Sequence, residues 1–154
     1  MIHLLFHLIV KLNGGPLNVK NKINSKNLFI RKIYAEIFKT YCWLEGAYIG
    51  TTAIVPKNTI LPHGMKSIFI SGGAKIGDNC TIYQQVTIGS NLLSDSKGYG
   101  FPSIGNNCII GAGAKIIGNV TIGNNVRIGA NAVVVEDIPS NSIVVLNKPR
   151  IIKK

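Results

Sequence analysis

The side chains in this sequence best suited to proton, metal or thiol chemistry are three histidines and three cysteines: His3, His7, His63, Cys42, Cys80 and Cys108. His63 is the only histidine after residue 45. Its imidazole can take a proton from a hydroxyl and return it to a leaving group. His3 and His7 are four apart, so on a helix they share one face, a metal-like spacing. Their neighbours Leu4, Leu5, Phe6, Leu8 and Ile9 are apolar and no third ligand is apparent, so no metal is expected. An odd number of cysteines without paired spacing argues against a disulfide framework and for a reducing compartment. No Ser–His pair is visible.

The elements that must position these groups are announced by a period of six. Ile70, Ile76, Ile82 and Ile88 are followed by Ile104, Ile110, Ile116, Ile122, Ile128 and Val134. Four residues after most of them comes a small or β-branched side chain: Ala74, Cys80, Val86, Cys108, Ala114, Val120, Val126 or Ala132. A helix needs a period near 3.6 and a simple strand a period of 2. A period of six is one short strand plus one corner, the repeat of a parallel β-helix, an architecture used chiefly by acyltransferases. The fold class expected is therefore an all-β solenoid of about three coils, with Ile49, Ile54 and Ile60 hinting at a fourth. Cys80 and Cys108 fall at inward small-residue positions, so buried thiols are expected there. From Ile88 to Ile104 the spacing is sixteen, four more than two repeats, so residues 89–103 must leave the prism as a loop. Loops on rigid scaffolds are common places for function.

Before the repeats, residues 1–12 read as a helix, 13–27 as a loop and 28–45 as a second helix ended by Gly46. The chain divides into an N-terminal helical segment, 1–45, and a β-helical domain, 46–154. It carries 17 Lys+Arg against 6 Asp+Glu, a formal charge of +11. Such a field attracts polyanions. No nucleic-acid motif is present, so a phosphorylated cofactor, an acidic polysaccharide or a membrane surface fits better. The first twelve residues are too short to span a bilayer and make a poor signal peptide. A cytoplasmic protein is expected, with peripheral membrane contact through the basic helices left open.

Three stretches carry a family resemblance: Leu61-Pro-His-Gly64, Ala74 to Gly89, and Ile104 to Asn119 with its Ile-Gly-Ala-Gly-Ala-Lys run. Together with the loop position and the closing Pro149-Arg-Ile, they resemble the serine acetyltransferase family over roughly residues 46–151. The short members associated with capsule and exopolysaccharide synthesis look most similar. The resemblance implies a left-handed β-helix, a homotrimer, and acetyl-CoA bound between neighbouring subunits. Departures are also visible. The family's Asp-His pair reads Pro62-His63, an upstream family Asp is Tyr48, and the loop His before a proline is Phe101 before Pro102.

By resemblance, His63 is the catalytic base. With Cys80 and Cys108 expected to point inward and no Ser–His pair visible, no covalent acetyl-enzyme is expected, and the mechanism is direct attack in a ternary complex. Backbone near Ala112 and Ala130 would hold the pantetheine arm, with Ser90 on the same path. Arg127, Lys148 and Arg150 would meet the CoA phosphates. Gln84, Gln85, Asp95, Tyr99 and Phe101 are candidates for acceptor contact, the two aromatic residues suiting a sugar ring. The expected activity is acetyl-CoA-dependent O-acetylation of a sugar or polysaccharide precursor. The alternatives are serine O-acetylation for cysteine biosynthesis, or a non-catalytic β-helix scaffold. An ice-binding face would need more threonines than Thr81, Thr87 and Thr121. A β-helical carbonic anhydrase would need three convergent histidines.

Overall fold

The computed structural model describes residues 2–147 and 150–152. Three helices open the chain: α1 (Ile2–Leu12), α2 (Pro16–Lys22) and α3 (Leu28–Leu44). The second lies where the sequence reads as loop. Pro16 sits in its first turn, where a missing N–H costs nothing, and this offsets an Asn- and Lys-rich composition. The side-chain oxygen of Asn27 caps α3 by accepting from the Phe29 and Ile30 amides. Gly46, at φ +61°, ends it, and the Ala47 amide turns back to the Cys42 carbonyl.

Twelve short strands follow. They are β1 (Tyr48–Ile49), β2 (Phe69–Ile70), β3 (Lys75–Ile76), β4 (Thr81–Ile82), β5 (Thr87–Gly89) and β6 (Ser103–Ile104). Beyond them lie β7 (Ile109–Ile110), β8 (Lys115–Ile117), β9 (Thr121–Ile122), β10 (Arg127–Ile128), β11 (Val133–Val134) and β12 (Ile143–Val144). From β2 to β11, successive strands visit three sheets in rotation. The first sheet is β1-β2-β5-β8-β11, the second β3-β6-β9 and the third β4-β7-β10-β12. Every pairing is parallel and in register, so Ile70, Ile88 and Ile116 stack on one another. This is the arrangement of a parallel β-helix. Its interior is an apolar column in which Ile82, Ile88, Ile110 and Ile116 are fully buried.

The structure corrects three details of the repeat. First, in the opening coil Ile54 and Ile60 point outward, more than half exposed, whereas Val55 is buried and Leu61 packs against the core. The inward series is Ile49, Val55, Leu61; an apolar β-branched residue just before each of the last two hides the register. Second, β5 and β6 belong to consecutive sheets, so the sixteen-residue spacing is one step with ten residues inserted, rather than two steps with four. Third, pairing continues past Val134. Ile138 bridges to Ile122, and β12 pairs with β10.

Corners are built from left-handed backbone. Asn79, Asn107, Asn125 and Asn141 form one column of such residues, at φ between +57° and +62°. Asparagine tolerates this conformation better than other side chains.

Candidate active site

Two insertions break the six-residue rhythm. Leu61 to Ile70 spans nine residues instead of six, and residues 62–67 form turns there. His63 lies in this insertion and is exposed. The turn is at the prism edge leading from the third sheet to the first. On the same edge, one coil along, are Tyr83, Gln84 and Gln85. The His63 and Tyr83 rings stand 5.9 Å apart at 51°. Ala112-Gly113 and Ala130-Asn131 continue the edge in the next two coils, joined by the Asn131 amide donating to the Ala112 carbonyl at 2.8 Å.

This edge has its own left-handed column: Ser67, Gln85, Gly113 and Asn131, at φ +51°, +62°, +71° and +57°. Gln85 is the costly member, since a left-handed residue with a full side chain loses about 1–2 kcal/mol. Backbone strain of this kind gathers at functional sites. Gln85 is held there by its amide, which donates to the Lys66 carbonyl at 3.0 Å, and by its carbonyl, which accepts from Lys115 Nζ at 3.0 Å. Lys115 Nζ also donates to the Gly113 carbonyl at 2.9 Å. Beside it, Gln84 Oε1 is buried and finds no hydrogen-bond partner among the described residues. A buried acceptor left open costs about 1–3 kcal/mol, and Thr59 Oγ1 and Ser71 Oγ are open in the same way.

The extruded loop leaves at a different edge, between the first sheet and the second. Its base is closed by paired Asn91 and Gly100, and Asn91 Nδ2 donates to Ser96 Oγ at 2.7 Å. The Gly118 and Asn119 amides of the next coil bind the Gly89 and Gly98 carbonyls. The Phe101 ring lies against Gly73 of the preceding coil so closely that a side chain at 73 would collide with it. Asp95 and Tyr99 are exposed on the loop.

The structure therefore divides the residues expected from the sequence. His63, Gln84, Gln85, Ala112 and Ala130 share one edge. Ser90, Asp95, Tyr99 and Phe101 share another, on the far side of the first sheet, so Ser90 does not continue the Ala112–Ala130 path within one chain. Arg127 projects outward from the third sheet, and Arg150 is exposed in the tail. Lys148 lies outside the described residues. Tyr83 and Lys115 were not anticipated. Lys115 did carry a signal, a lysine following Ala114 in the Gly-Ala-Lys run.

Thiol chemistry is not offered here. Cys80 and Cys108 are fully buried, and their sulfurs donate to the Gly105 and Gly123 carbonyls, each at 3.1 Å. The hydrogen bond with Cys108, then burial, pushes the Cys80 thiol up.

Comparison with known proteins adds the chemistry. The family model "Bacterial transferase hexapeptide (six repeats)" matches residues 101–135. A serine acetyltransferase of Staphylococcus aureus is 39% identical over 134 residues, 85% of this chain and 59% of that protein. One from Synechococcus elongatus is 42% identical over 102 residues, 66% of this chain and 41% of that protein. Among solved structures, Neisseria gonorrhoeae serine acetyltransferase in complex with serine aligns with TM-score 0.70 and 31% identity, covering 87% of this chain and 55% of that one. Entamoeba histolytica serine acetyltransferase isoform 3 in complex with cysteine aligns with TM-score 0.72 and 30% identity, covering 90% and 49%. The chain thus spans about three-fifths of the length of the first of these relatives.

These likenesses correct the sequence expectation of a sugar or polysaccharide acceptor, because the relatives and structural neighbours are serine acetyltransferases. The expected stacking of Phe101 on a sugar ring also weakens, because the ring packs the loop onto Gly73; Phe101 nonetheless stands where the resemblance places a histidine.

Proposed function

We propose that this chain, whose repeats match the bacterial transferase hexapeptide and whose relatives are serine acetyltransferases, is an O-acetyltransferase that moves acetyl from acetyl-CoA to the hydroxyl of serine. The observation that carries the reading is the exposed His63, set in an insertion of an otherwise regular stack beside Tyr83 and the unpartnered Gln84 Oε1.

His63 takes the hydroxyl proton as the serine oxygen attacks the thioester carbonyl. A C–O bond forms, the C–S bond breaks, and His63 returns the proton to the departing CoA thiolate. The buried thiols take no part. The open Gln84 acceptor suits an ammonium or hydroxyl donor of an amino acid. The pantetheine arm runs along the edge where Ala112 and Ala130 keep side chains short, and Arg127 and Arg150 meet its phosphates.

The loop lies across the first sheet from His63, so in this reading a second copy supplies the loop to each site. This supports a homotrimer with acceptor contacts from Asp95 and Tyr99, and with Ser90 brought to the cofactor path from a neighbouring copy. The winding is left-handed, as the resemblance implies. Residues 46–154 carry the transfer, 1–45 are accessory, and use of acetyl-CoA fits the cytoplasm.

The test is thiol release from acetyl-CoA with serine as acceptor. Wild type should release thiol only when serine is present, and His63→Ala should be about 10²–10⁴-fold slower with an unchanged circular dichroism spectrum. Equal rates in the two proteins, or a stoichiometric burst of acetylated protein without serine, would overturn the mechanism.

A further inference from the structure

The histidine pair that lacks a third ligand in the sequence acquires one in the fold. The side chain of α1 residue His7 meets that of Glu45, the residue capping the C-terminus of α3, at 2.9 Å between Nε2 and Oε1. His3, one turn before His7, has its ring centroid 4.4 Å from that of His7. One donor atom from each of His3, His7 and Glu45 falls within 4.8 Å of the others. The Tyr41 ring meets His7 edge-on at 5.1 Å and limits its orientation.

The carboxylate is the unusual member. The Glu45 side chain is only 4% exposed, and its one ion pair among the described residues is with a histidine, which carries charge only when protonated. Removing a carboxylate from water is costly unless a firm positive partner replaces the lost hydration. A divalent cation would be such a partner.

We propose that His3, His7 and Glu45 form a metal site for a first-row divalent ion, with Zn²⁺ the best match. Two imidazoles and one carboxylate are a donor set that zinc accepts, and they leave a fourth position open. Bonds of about 2.0–2.2 Å place tetrahedral donors roughly 3.3–3.5 Å apart. His7 and Glu45 must separate by about half an ångström to admit the ion. His3 is exposed, so it can turn to complete the set. A cavity of about 520 Å³ lined by Leu4, His7, Leu8, Lys11, Pro16 and Tyr41 adjoins the site and gives the fourth position access to water. The ion would clip α1 to the residue where α3 ends and the chain enters its first coil. This reverses the expectation that no metal is bound, and it does not depend on the acetyl-transfer reading.

The experiment uses the full chain, freed of metal by chelator and titrated with Zn²⁺ alone by calorimetry, with Co²⁺ absorption in parallel. One saturable site per chain and a raised Tm are expected. His3→Ala, a change at an exposed position, should weaken binding about tenfold or more, and Glu45→Gln, which keeps the hydrogen bond to His7, should do likewise. The Co²⁺ spectrum should lack a thiolate charge-transfer band. No saturable binding, binding that survives both substitutions, or a thiolate band pointing to the cysteines would each overturn the site.

Discussion

In the stack, every inward side chain from Ile70 to Val134 is apolar and at most 3% exposed. In the helices before it, Lys20, Tyr41, Cys42 and Glu45 are buried, while Leu4, Leu12, Phe29 and Trp43 stand open, each more than 70% exposed. The stack satisfies its backbone polar groups through the sheets, so its interior needs no polar side chain. The helical segment has to pair polar groups one at a time. Lys20 Nζ donates to the Ala53 carbonyl at 2.6 Å, and burial lowers the pKa of that lysine. The contrast teaches where chemistry can be housed. A perfect repeat keeps whatever lies inside it, Cys80 and Cys108 included, out of a substrate's reach, so His63 appears where the rhythm fails, and the histidine–glutamate cluster appears outside the stack altogether.

The contrast can be broken at its strongest point by Ile116→Ala. Ile116 is fully buried between Ile88 and Val134, and neighbouring coils cannot collapse without losing register. A loss of about 2–5 kcal/mol is expected in urea unfolding. A loss below about 1 kcal/mol would mean that the column is not close-packed.

A smaller effect belongs to the helices. Burial pushes the Cys42 thiol up to about 11, from an ordinary value near 9. The folded state therefore holds a proton that the unfolded state releases first. Stability from this group is intact below pH 9 and is lost between about pH 9 and 11, by an amount on the order of 3 kcal/mol. Unfolding midpoints of wild type should fall across that window relative to Cys42→Ala; parallel curves would show that the thiol is not buried in solution.

The smallest effect sharpens the comparison from the other side. Leu12→Gln, on an open helix face, should change stability by less than about 0.5 kcal/mol. A large change would reveal that this face is covered, and the Tm would then depend on protein concentration.

The sequence made the stack legible because period six has no other common cause, and Ile70 to Val134 obey it. It misled at Ile54 and Ile60, where an outward β-branched residue precedes the inward one and mimics the ladder. It misplaced the origin of the loop because spacing alone does not say which sheet comes next. Helix α2 was hidden by its composition, since its fold depends on docking against α3 rather than on propensity. Of the candidate site, His63 and the two glutamines could be found from local pattern. Tyr83 and Lys115 could not be assigned, because their roles come from stacking across coils. Glu45 was out of reach for the same reason, lying far along the chain from His7.

The ten-residue insertion has a further consequence, for the entropy of assembling the chain. Strand partners that do not span it, such as Lys115 and Val133, are 18 positions apart, whereas partners that do, such as Thr87 and Lys115, are 28 apart. Closing the longer segment costs only about 0.4 kcal/mol more, because closure entropy grows with the logarithm of length. Coils after the loop have the shorter closures and the simpler route to pairing, with the loop-spanning contacts joining onto them. Length changes at this edge are thus nearly neutral for stability, and the extruded loop is free to vary in length while the stack beneath it stays in register.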